Sequence, residues 1–354
     1  MKKSFLLLFL SCTVAVNAQL RNDEVFHVYE MSKLNVRQLV HIPDFGGYYT
    51  MKCDLHTHTV FSDGGVWPTV RVNEAWQQGL DAIAITDHIE HGRLVNKTLA
   101  GDFNSSYNEA RKRGEEIGFM VIKGAEISRA KPLGHLNALF ITDANPLNTP
   151  DPLEAIDLAV KQDAFIMWNH PGYPDNKPVI YPVHEQLIKE KKIHGIEVFN
   201  EREYYPVTFD WCKKTGLAFM GSSDIHDVAT ELYGSGAIRP MTLVFAAERT
   251  EKGIKDALFA GRSAVYFYGQ LVGRPEHLTP LLKASLEIRT IDAQKGVSEV
   301  TNHSDISYTI SVNDKFLEFH AGKTVRVTLP KEGKGLVLNC FTGTNEHLSI
   351  DFPL

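Results

Sequence analysis

The stretch Asp54-Leu55-His56-Thr57-His58 follows an apolar run that begins at Tyr49, and Ile83-Ala84-Ile85 leads in the same way into Thr86-Asp87-His88. Short apolar runs of this kind are typical of buried strands. Side chains two positions apart on an extended strand point to the same side, so His56 and His58 can converge on one metal ion. An H-x-H pair alone is more often two ordinary histidines, but here the neighbouring aspartates and the third histidine favour a metal site.

The same arrangement recurs along the chain, because an ionisable residue appears wherever an apolar run ends or begins. These later residues are Glu126, His135, His170, Asp224 and His226. Asp63 is a further candidate, although Ser62-Asp63-Gly64-Gly65 is also typical of a simple turn. We interpret His88 as a ligand and Asp87 as the carboxylate that orients a histidine from outside the ligand set. Six of the fifteen histidines occupy such positions, and the rest are predicted to be surface or packing residues, with His91 the least certain of them.

The ordered set H-x-H, S-D-G, T-D-H, G-x-E, a lone histidine, N-H-P and S-D-x-H resembles the PHP (polymerase and histidinol phosphatase) family of metal-dependent phosphoesterases over about residues 50–270. The resemblance implies a distorted seven-stranded β/α barrel of the PHP type and a centre of three divalent ions. The nine ligands that it implies are His56, His58, Asp63, His88, Glu126, His135, His170, Asp224 and His226. Four of these are also assigned the catalytic role: His56, His58, Glu126 and Asp224.

The resemblance also implies how the ligands divide among the ions. Glu126 would bridge two ions, which would be held by a set shared with it: His56, His58, Asp224, His135 and His170. Asp63, His88 and His226 would hold the third ion. Manganese, iron and zinc all accept such a mixed set of imidazoles and carboxylates, so the sequence leaves the metal open.

Residues 66–82 are similar to a secreted PHP subgroup that includes organophosphate phosphodiesterases. A simpler interpretation is that Val66 to Gln78 forms the first helix of the barrel, with Pro68 suited to its start and Trp76 packed on the sheet. The subgroup similarity favours phosphodiesters over phosphomonoesters as substrates.

The alternation of apolar runs and helical patterns predicts an α/β domain, which is followed by alternating polar and apolar segments typical of a small antiparallel β domain. Strands are predicted near residues 50–55, 82–86, 119–124, 135–141, 164–169, 194–199 and 217–221, and then 264–268. Helices are predicted near 69–78, 105–117, 152–162, 184–192, 206–215 and 253–261. The predicted organisation is therefore a signal peptide at 1–18, a PHP metal-dependent hydrolase domain at 19–277 and a small β-sandwich-like domain at 278–354.

The first eighteen residues have the composition of a secretory signal peptide, since Lys2 and Lys3 precede an apolar run and Ala18 is a small residue suited to cleavage. Export to the periplasm or the extracellular space is predicted, and lipoprotein anchoring at Cys12 is a less favoured alternative. Cleavage would move the formal net charge from −6 to −8, and the mature chain would have no transmembrane segment. A mildly acidic chain without a basic stripe argues against a nucleic-acid polymer as partner.

With 354 residues, 43% hydrophobic and 23% charged, the chain can bury a large core. Three cysteines would remain after cleavage, too few for a disulfide framework. Cys53 is expected to be a small buried hydrophobic residue.

The predicted chemistry is hydrolysis of a small phosphate ester, because adjacent divalent ions generate a bridging hydroxide and clamp the phosphoryl oxygens for in-line attack on phosphorus. Arginine suits the phosphate charge, and Tyr173 follows the His170 motif closely enough to contact substrate. The candidate substrate residues are Arg93, Arg129, Tyr173 and Arg202. Three alternatives stay open: a phosphomonoesterase or nucleotidase, a non-catalytic surface binding module, and a hydrolase of C–N or amide bonds. The sequence does not determine the oligomeric state.

Overall fold

The computed structural model describes residues 36–234 and 237–354, so the predicted signal peptide and Cys12 lie outside the described residues. The described chain has a mixed α/β architecture with one large mixed sheet and a smaller antiparallel sheet. The strands are β1 Tyr49–Asp54, β2 Ala82–Ile85, β3 Met120–Ser128, β4 His135–Leu139, β5 Phe165–Trp168, β6 Gly195–Asn200, β7 Glu203–Tyr204, β8 Ala218–Ser222, β9 Met241–Ala246, β10 Ser263–Phe267, β11 Gln270–Gly273, β12 Leu286–Asp292, β13 Val297–Asn302, β14 Tyr308–Val312, β15 Lys315–Phe319, β16 Thr324–Thr328, β17 Gly333–Gly343 and β18 Glu346–Phe352.

The helices lie mainly between the strands of the first 270 residues. They are α1 Pro68–Gln77, α2 Ser105–Ile117, α3 Pro152–Val160, α4 Pro182–Lys189, α5 Pro206–Thr215, α6 Ala229–Tyr233, α7 Glu251–Phe259 and α8 Pro275–Ser285, with a short 3-10 helix at Asn145–Leu147. Proline stands in the first turn of α1, α3, α4, α5 and α8, where its missing N–H costs no helical hydrogen bond. Among the described residues, no helix has both the length and the apolar character needed to cross a membrane.

The order of strands in the large sheet brings the candidate ligands to one edge. The order is β15-β14-β17-β11-β10-β9-β1-β2-β3-β4-β5-β6-β7, with β18 on β17 and β8 on β6. The pairs β1–β2, β2–β3, β5–β6 and β6–β8 are parallel, so the carboxyl ends of these neighbours point the same way. Loops at the carboxyl ends of parallel strands are where α/β enzymes build their sites.

Each of the seven predicted strands of the α/β domain has a counterpart in the structure, but β9 was not predicted. It lies antiparallel along β1, with Tyr49 opposite Ala246 and Cys53 opposite Thr242. No backbone ladder joins β8 to β9 in the described residues. Instead, the Thr242 hydroxyl accepts a hydrogen bond from the Gly221 N–H at 3.0 Å and donates one to the Gly221 carbonyl at 2.8 Å. The mixed α/β class is confirmed, and closure into a seven-stranded barrel stays a prediction.

The C-terminal strands β12 to β18 divide between two sheets. Strands β12, β13 and β16 form a small antiparallel sheet, but β14, β15, β17 and β18 continue the large sheet. The connection is the parallel pair β11–β17, in which Leu271 lies opposite Cys340. Both residues are buried in the same hydrophobic core, which explains why the long strand β17 joins the sheet. Helix α8 crosses the predicted boundary at 277/278, and that boundary stays a prediction.

The cysteines behave as hydrophobic core residues. Cys53, Cys212 and Cys340 are buried and none forms a disulfide. Burial raises the pKa of the Cys53 thiol well above its ordinary value, so it stays protonated. The expectation for Cys53 is confirmed.

Candidate metal centre

The structure brings all nine predicted ligands together at the carboxyl edge of the sheet. His56 and His58 follow β1, and two isolated bridges hold neighbouring segments in place, Thr57 with Ile225 and His88 with Glu126. His56, His58 and Glu126 are fully buried. The strand-end positions inferred from the sequence therefore converge in space.

One group of ligand atoms surrounds a common point. The Nε2 atoms of His56 and His58 lie 3.1 Å apart. Asp224 Oδ1 lies 3.1 Å from the first and 3.0 Å from the second, and Glu126 Oε2 lies 3.5 and 3.4 Å from them. Ligands that each lie about 2.1 Å from one ion are separated by about 3 Å. The spacing fits a shared divalent ion.

The second group is centred on Asp63. Its carboxylate lies 3.6 Å from His88 Nε2, 3.4 Å from His226 Nε2 and 3.9 Å from His58 Nδ1. The four residues can hold an ion together. His58 thus stands beside the Asp63 group as well as in the first group, which the resemblance did not imply.

The third group lies around both carboxylate oxygens of Glu126. His135 Nδ1 lies 2.9 Å and His170 Nε2 lies 3.5 Å from Glu126 Oε1, while His88 Nδ1 lies 2.8 Å from Glu126 Oε2. His170 Nε2 is also 3.8 Å from Asp224 Oδ2. Glu126 therefore occupies the middle of the cluster, where it can serve more than one ion.

Two carboxylate oxygens in this cluster lack the partners that buried oxygens normally have. Glu126 Oε2 and Asp224 Oδ1 are buried and accept no hydrogen bond from any described residue. A buried acceptor without a partner is costly, and native proteins rarely leave one unless a ligand completes it. Both oxygens lie within 3.5 Å of the Nε2 atoms of His56 and His58, which are candidate metal-ligand atoms. The residues present therefore fit divalent ions.

The charges of the cluster shift the pKa values of its members in both directions. Burial raises the pKa of a carboxyl, but His88 and His56 outweigh it and hold the pKa of Glu126 well below its ordinary value. Burial lowers the pKa of His88, but Glu126 and Asp63 outweigh it and raise that pKa to about 10. Burial and the charge of His88 lower the pKa of His58 to about 4.

Three polar residues that the sequence interpretation missed support the ligands. Glu197 Oε1 accepts a hydrogen bond from His56 Nδ1 at 3.0 Å, and its Oε2 accepts from the His170 N–H at 2.8 Å. Asn200 Nδ2 donates to Glu197 at 2.8 Å and to Asp224 at 3.3 Å, and Asn169 Nδ2 donates to Glu126 at 2.9 Å. A proton held on Nδ1 leaves Nε2 of His56 free to bind metal. The signal for Glu197 was an acid inside the apolar run Gly195 to Phe199.

A fully buried arginine, which the sequence interpretation also missed, donates hydrogen bonds to two of the loops that carry candidate ligands. Arg71 lies in α1, and its Nε donates to the His58 carbonyl at 3.1 Å while its Nη2 donates to the His226 carbonyl at 2.9 Å. Glu74 accepts from the same guanidinium at 2.8 Å. A charged residue on the packing face of a predicted helix was the available signal.

Asp87 acts one residue further from the ligands than expected. Its carboxylate accepts hydrogen bonds from the Thr59 N–H and from the Ser62 hydroxyl, both at 2.7 Å. The Ser62 hydroxyl in turn lies 3.4 Å from His58 Nδ1. Asp87 therefore shapes the loop after His58 and reaches that histidine through Ser62, not directly.

The predicted substrate residues take different positions. The Arg93 guanidinium donates to the Gly64 carbonyl at 2.7 Å and so supports the ligand loop. Arg129 pairs with Glu90 and donates to the Thr149 carbonyl, and Arg202 is exposed. The Tyr173 ring is exposed and its centroid lies 5.7 Å from the His135 ring and 5.3 Å from the His170 ring. Tyr173 therefore lies beside the cluster, whereas the guanidinium groups of Arg93 and Arg129 already bind other groups of the protein.

His91 lies at the rim of the cluster, although its sequence context assigned it to the surface. Its ring centroid lies 3.8 Å from that of His88, and its Nε2 lies 3.5 Å from Asp63 Oδ2. Its side chain keeps 47% of its exposure. The turn after His88 folds back and places His91 beside the cluster. The residues of this turn carry no sequence pattern that indicates such a position.

The cluster opens into a cleft of about 420 Å³, whose lining includes Asp63, Glu126, His135, Asp224 and His226. A second cavity of about 600 Å³, which we call the side cavity, lies between residues 128–135 and 168–184. The arrangement is a set of hard and borderline ligands at the floor of an open cleft, which suits hydrolysis assisted by metal ions.

A family model and a solved structure that are similar to this chain both carry a PHP or PHP-like description. A family model described as the PHP domain matches residues 54–214, which include all the candidate ligands except Asp224 and His226. The structure is similar to that of a two-domain protein from Bacteroides vulgatus that contains a predicted PHP-like metal-dependent phosphoesterase. The two are 36% identical, with a TM-score of 0.85, over 90% of this chain and 99% of that chain.

Two curated proteins match over shorter segments. A 5'-3' exoribonuclease of Haemophilus influenzae is 38% identical over 79 residues, or 22% of this chain and 24% of that protein. An uncharacterised protein of Methanocaldococcus jannaschii is 38% identical over 85 residues, or 23% of this chain and 36% of that protein. The matched segments thus span only a quarter to about a third of these two curated relatives.

Proposed function

This chain belongs to the PHP family and is a metal-dependent phosphoesterase, and from that premise we propose that it hydrolyses small phosphate esters at a centre of three divalent ions, with phosphodiesters favoured. The observation that carries the proposal is the convergence of nine candidate ligand residues into one cluster, which contains two buried carboxylate oxygens, of Glu126 and Asp224, that no hydrogen bond satisfies. A scaffold without bound metal has no use for such a costly arrangement. The proposal includes closure of the α/β domain into a PHP-type barrel.

Two ligand groups that share Glu126 and a separate group around Asp63 support the number of ions. Glu126 stands in two of the ligand groups, and Asp63 gathers His58, His88 and His226 into another. Bound divalent ions would supply an activated water and positive charge against the phosphoryl oxygens. We assign the ligands closest to that chemistry the catalytic role: His56, His58, Glu126 and Asp224.

The chain's own residues prepare this chemistry. Glu197 orients His56 and His170, and Arg71 fixes the backbone of the His58 and His226 loops. Tyr173 stands beside the His135 and His170 rings, where it can contact an ester bound over them.

The preference for diesters is supported by the similarity of residues 66–82 to secreted phosphodiesterases and by the space beside the centre. The cleft of about 420 Å³ adjoins the side cavity of about 600 Å³, so both substituents of a diester have room. Export is proposed from residues 1–18 alone, and a nucleic-acid polymer is not expected because the chain is acidic.

The test compares two chromogenic substrates on purified, metal-loaded protein. We expect faster turnover of bis(p-nitrophenyl) phosphate than of p-nitrophenyl phosphate and about three ions per chain by elemental analysis. Activity on the monoester alone would refute the diester preference and favour the nucleotidase alternative. Fewer than about two ions per chain, with no hydrolysis after addition of manganese, would refute the catalytic proposal and favour a binding module.

A further inference from the structure

The side cavity communicates with the cleft above the metal-ligand cluster. Four residues line both spaces: His91, His135, His170 and Tyr173. A phosphate ester bound over the ligands would therefore have the side cavity directly beside it.

The walls of the side cavity are held together by protein contacts, so the space is preformed. His184 Nε2 donates a hydrogen bond to the Leu133 carbonyl at 2.7 Å, and its Nδ1 accepts one from the Tyr181 N–H at 3.2 Å. The same ring stacks on Trp168 with centroids 3.8 Å apart. His184 thus joins the wall formed by residues 129–134 to the wall formed by residues 171–181.

The lining is rich in flat and apolar groups. Tyr173 and Tyr181 contribute aromatic rings and Leu133 and Val179 contribute aliphatic surface, while the buried Trp168 ring stacks on His184 and Trp211 and supports the wall from behind. Aromatic side chains prefer partners that are themselves flat, because stacking adds to the gain from burying apolar area. A methyl or ethyl substituent would contact little of this lining, whereas a ring reaches more of it.

The two lysine and arginine side chains of the lining already have anionic partners. Arg129 pairs with Glu90 and donates to the Thr149 carbonyl at 3.0 Å. Lys131 pairs with Asp175 and donates to the Lys177 carbonyl at 3.0 Å. A second phosphate or a carboxylate on the substrate would find no uncommitted lysine or arginine among the described lining residues. An uncharged substituent matches the cavity better.

We propose that the side cavity is the subsite for the organic group of the phosphate ester and that this group is a flat, uncharged aromatic ring. The inference rests on the proposed function for the position of the phosphorus, and the lining residues determine the class of substituent.

Binding of two phosphonates to the metal-loaded full chain tests the subsite without requiring turnover. Methylphosphonate and benzylphosphonate present the same anionic group to the metal centre, so the ratio of their dissociation constants reports the ring alone. We expect benzylphosphonate to bind about tenfold more tightly by isothermal titration calorimetry. Equal affinities would overturn the subsite. Failure of both compounds to bind would overturn the proposed function and the subsite with it.

A matched pair of variants locates the effect. Val179 lines the side cavity and is 38% exposed, whereas Val207 lies in α5 outside the cavity lining and is 39% exposed. We expect Val179→Trp to fill the cavity and reduce the affinity ratio to about one, while Val207→Trp keeps the ratio at about tenfold. A Val179→Trp protein that retains the tenfold ratio would overturn the proposal. The ratio in the unmodified protein decides the question independently if Val179→Trp does not fold.

Discussion

Glu197 provides the most demanding test of the proposed centre, because it touches two ligands without being one. Its two carboxylate oxygens accept three hydrogen bonds, from His56 Nδ1 at 3.0 Å, from the His170 N–H at 2.8 Å and from Asn200 Nδ2 at 2.8 Å. Glu197→Gln replaces one acceptor oxygen by a donor NH₂ group at almost unchanged volume. Whichever way the amide turns, one side of the network then faces donor against donor.

The size of the effect follows from these contacts. If the NH₂ group faces His56, the imidazole must move its proton to Nε2 and lose its metal-binding lone pair. If it faces His170 and Asn200, two donors lose their acceptor, at a cost of about 1–3 kcal/mol for each buried group. Loss of an orienting partner of a metal ligand weakens metal affinity by about 10–100-fold, or about 1.4–2.7 kcal/mol.

The assay is a stepwise metal titration against a chromophoric chelator, with bound metal measured by elemental analysis. We expect Glu197→Gln to weaken the ions held by His56 and His170 and to spare the ion held around Asp63. Glu299→Gln is the control, because it makes the same chemical change in the small sheet, where Glu299 pairs with Arg289 and Arg326. Unchanged affinity at every site in a folded Glu197→Gln protein would refute the orienting role. Equal weakening of all sites would indicate general damage to the fold.

Three further predictions concern stability. Arg239 and Asp54 form a fully buried ion pair, so Arg239→Met should lower the free energy of unfolding, measured by urea titration, by about 3–5 kcal/mol. Adding Asp54→Asn to that variant should recover part of the lost stability. A loss below about 1 kcal/mol in Arg239→Met would contradict a strong contribution from the pair. Gly221→Ala should cost about 1–3 kcal/mol, because its Cβ would lie 2.0 Å from a methyl carbon of Val265, and Val265→Ala should rescue the variant; an unchanged midpoint would argue against the close packing of β8 on β10. Burial lowers the pKa of His194 from 6.5 to about 4, and its Nδ1 accepts a hydrogen bond from the Ile166 N–H. As the pH falls, His194 therefore binds a proton in the unfolded chain before it does so in the folded protein. The stability that neutral His194 confers is lost as the pH falls from about 6.5 to about 4. His194→Asn should flatten that loss, by up to about 3 kcal/mol, in denaturation curves measured across this range, and identical pH dependence in both proteins would contradict it.

The elements with a strong local signal were predictable. The apolar composition of the runs that form β1, β2 and β5 was enough to predict these strands. The prolines at the starts of α1 and α5 indicated where those helices begin. Strand β9 was not predicted although it is wholly buried, because no candidate ligand follows its run Met241 to Ala246. The merger of β17 with the large sheet was missed because alternation within a strand does not say which sheet it will join.

The sequence by itself supplied the candidate ligands, since most of them stand beside apolar runs that form strands and the resemblance to the PHP family implies the full set of nine. Only the tertiary structure decided what surrounds that set. Glu197 reaches His56 from a strand far along the chain, Arg71 holds two loops that the sequence keeps apart, and Arg129 is committed to Glu90. The side cavity likewise exists only where two distant loops meet. The physical reason is that ligand identity follows local residue type and periodicity, whereas orientation, charge pairing and pocket shape arise from contacts between segments whose proximity no local pattern encodes.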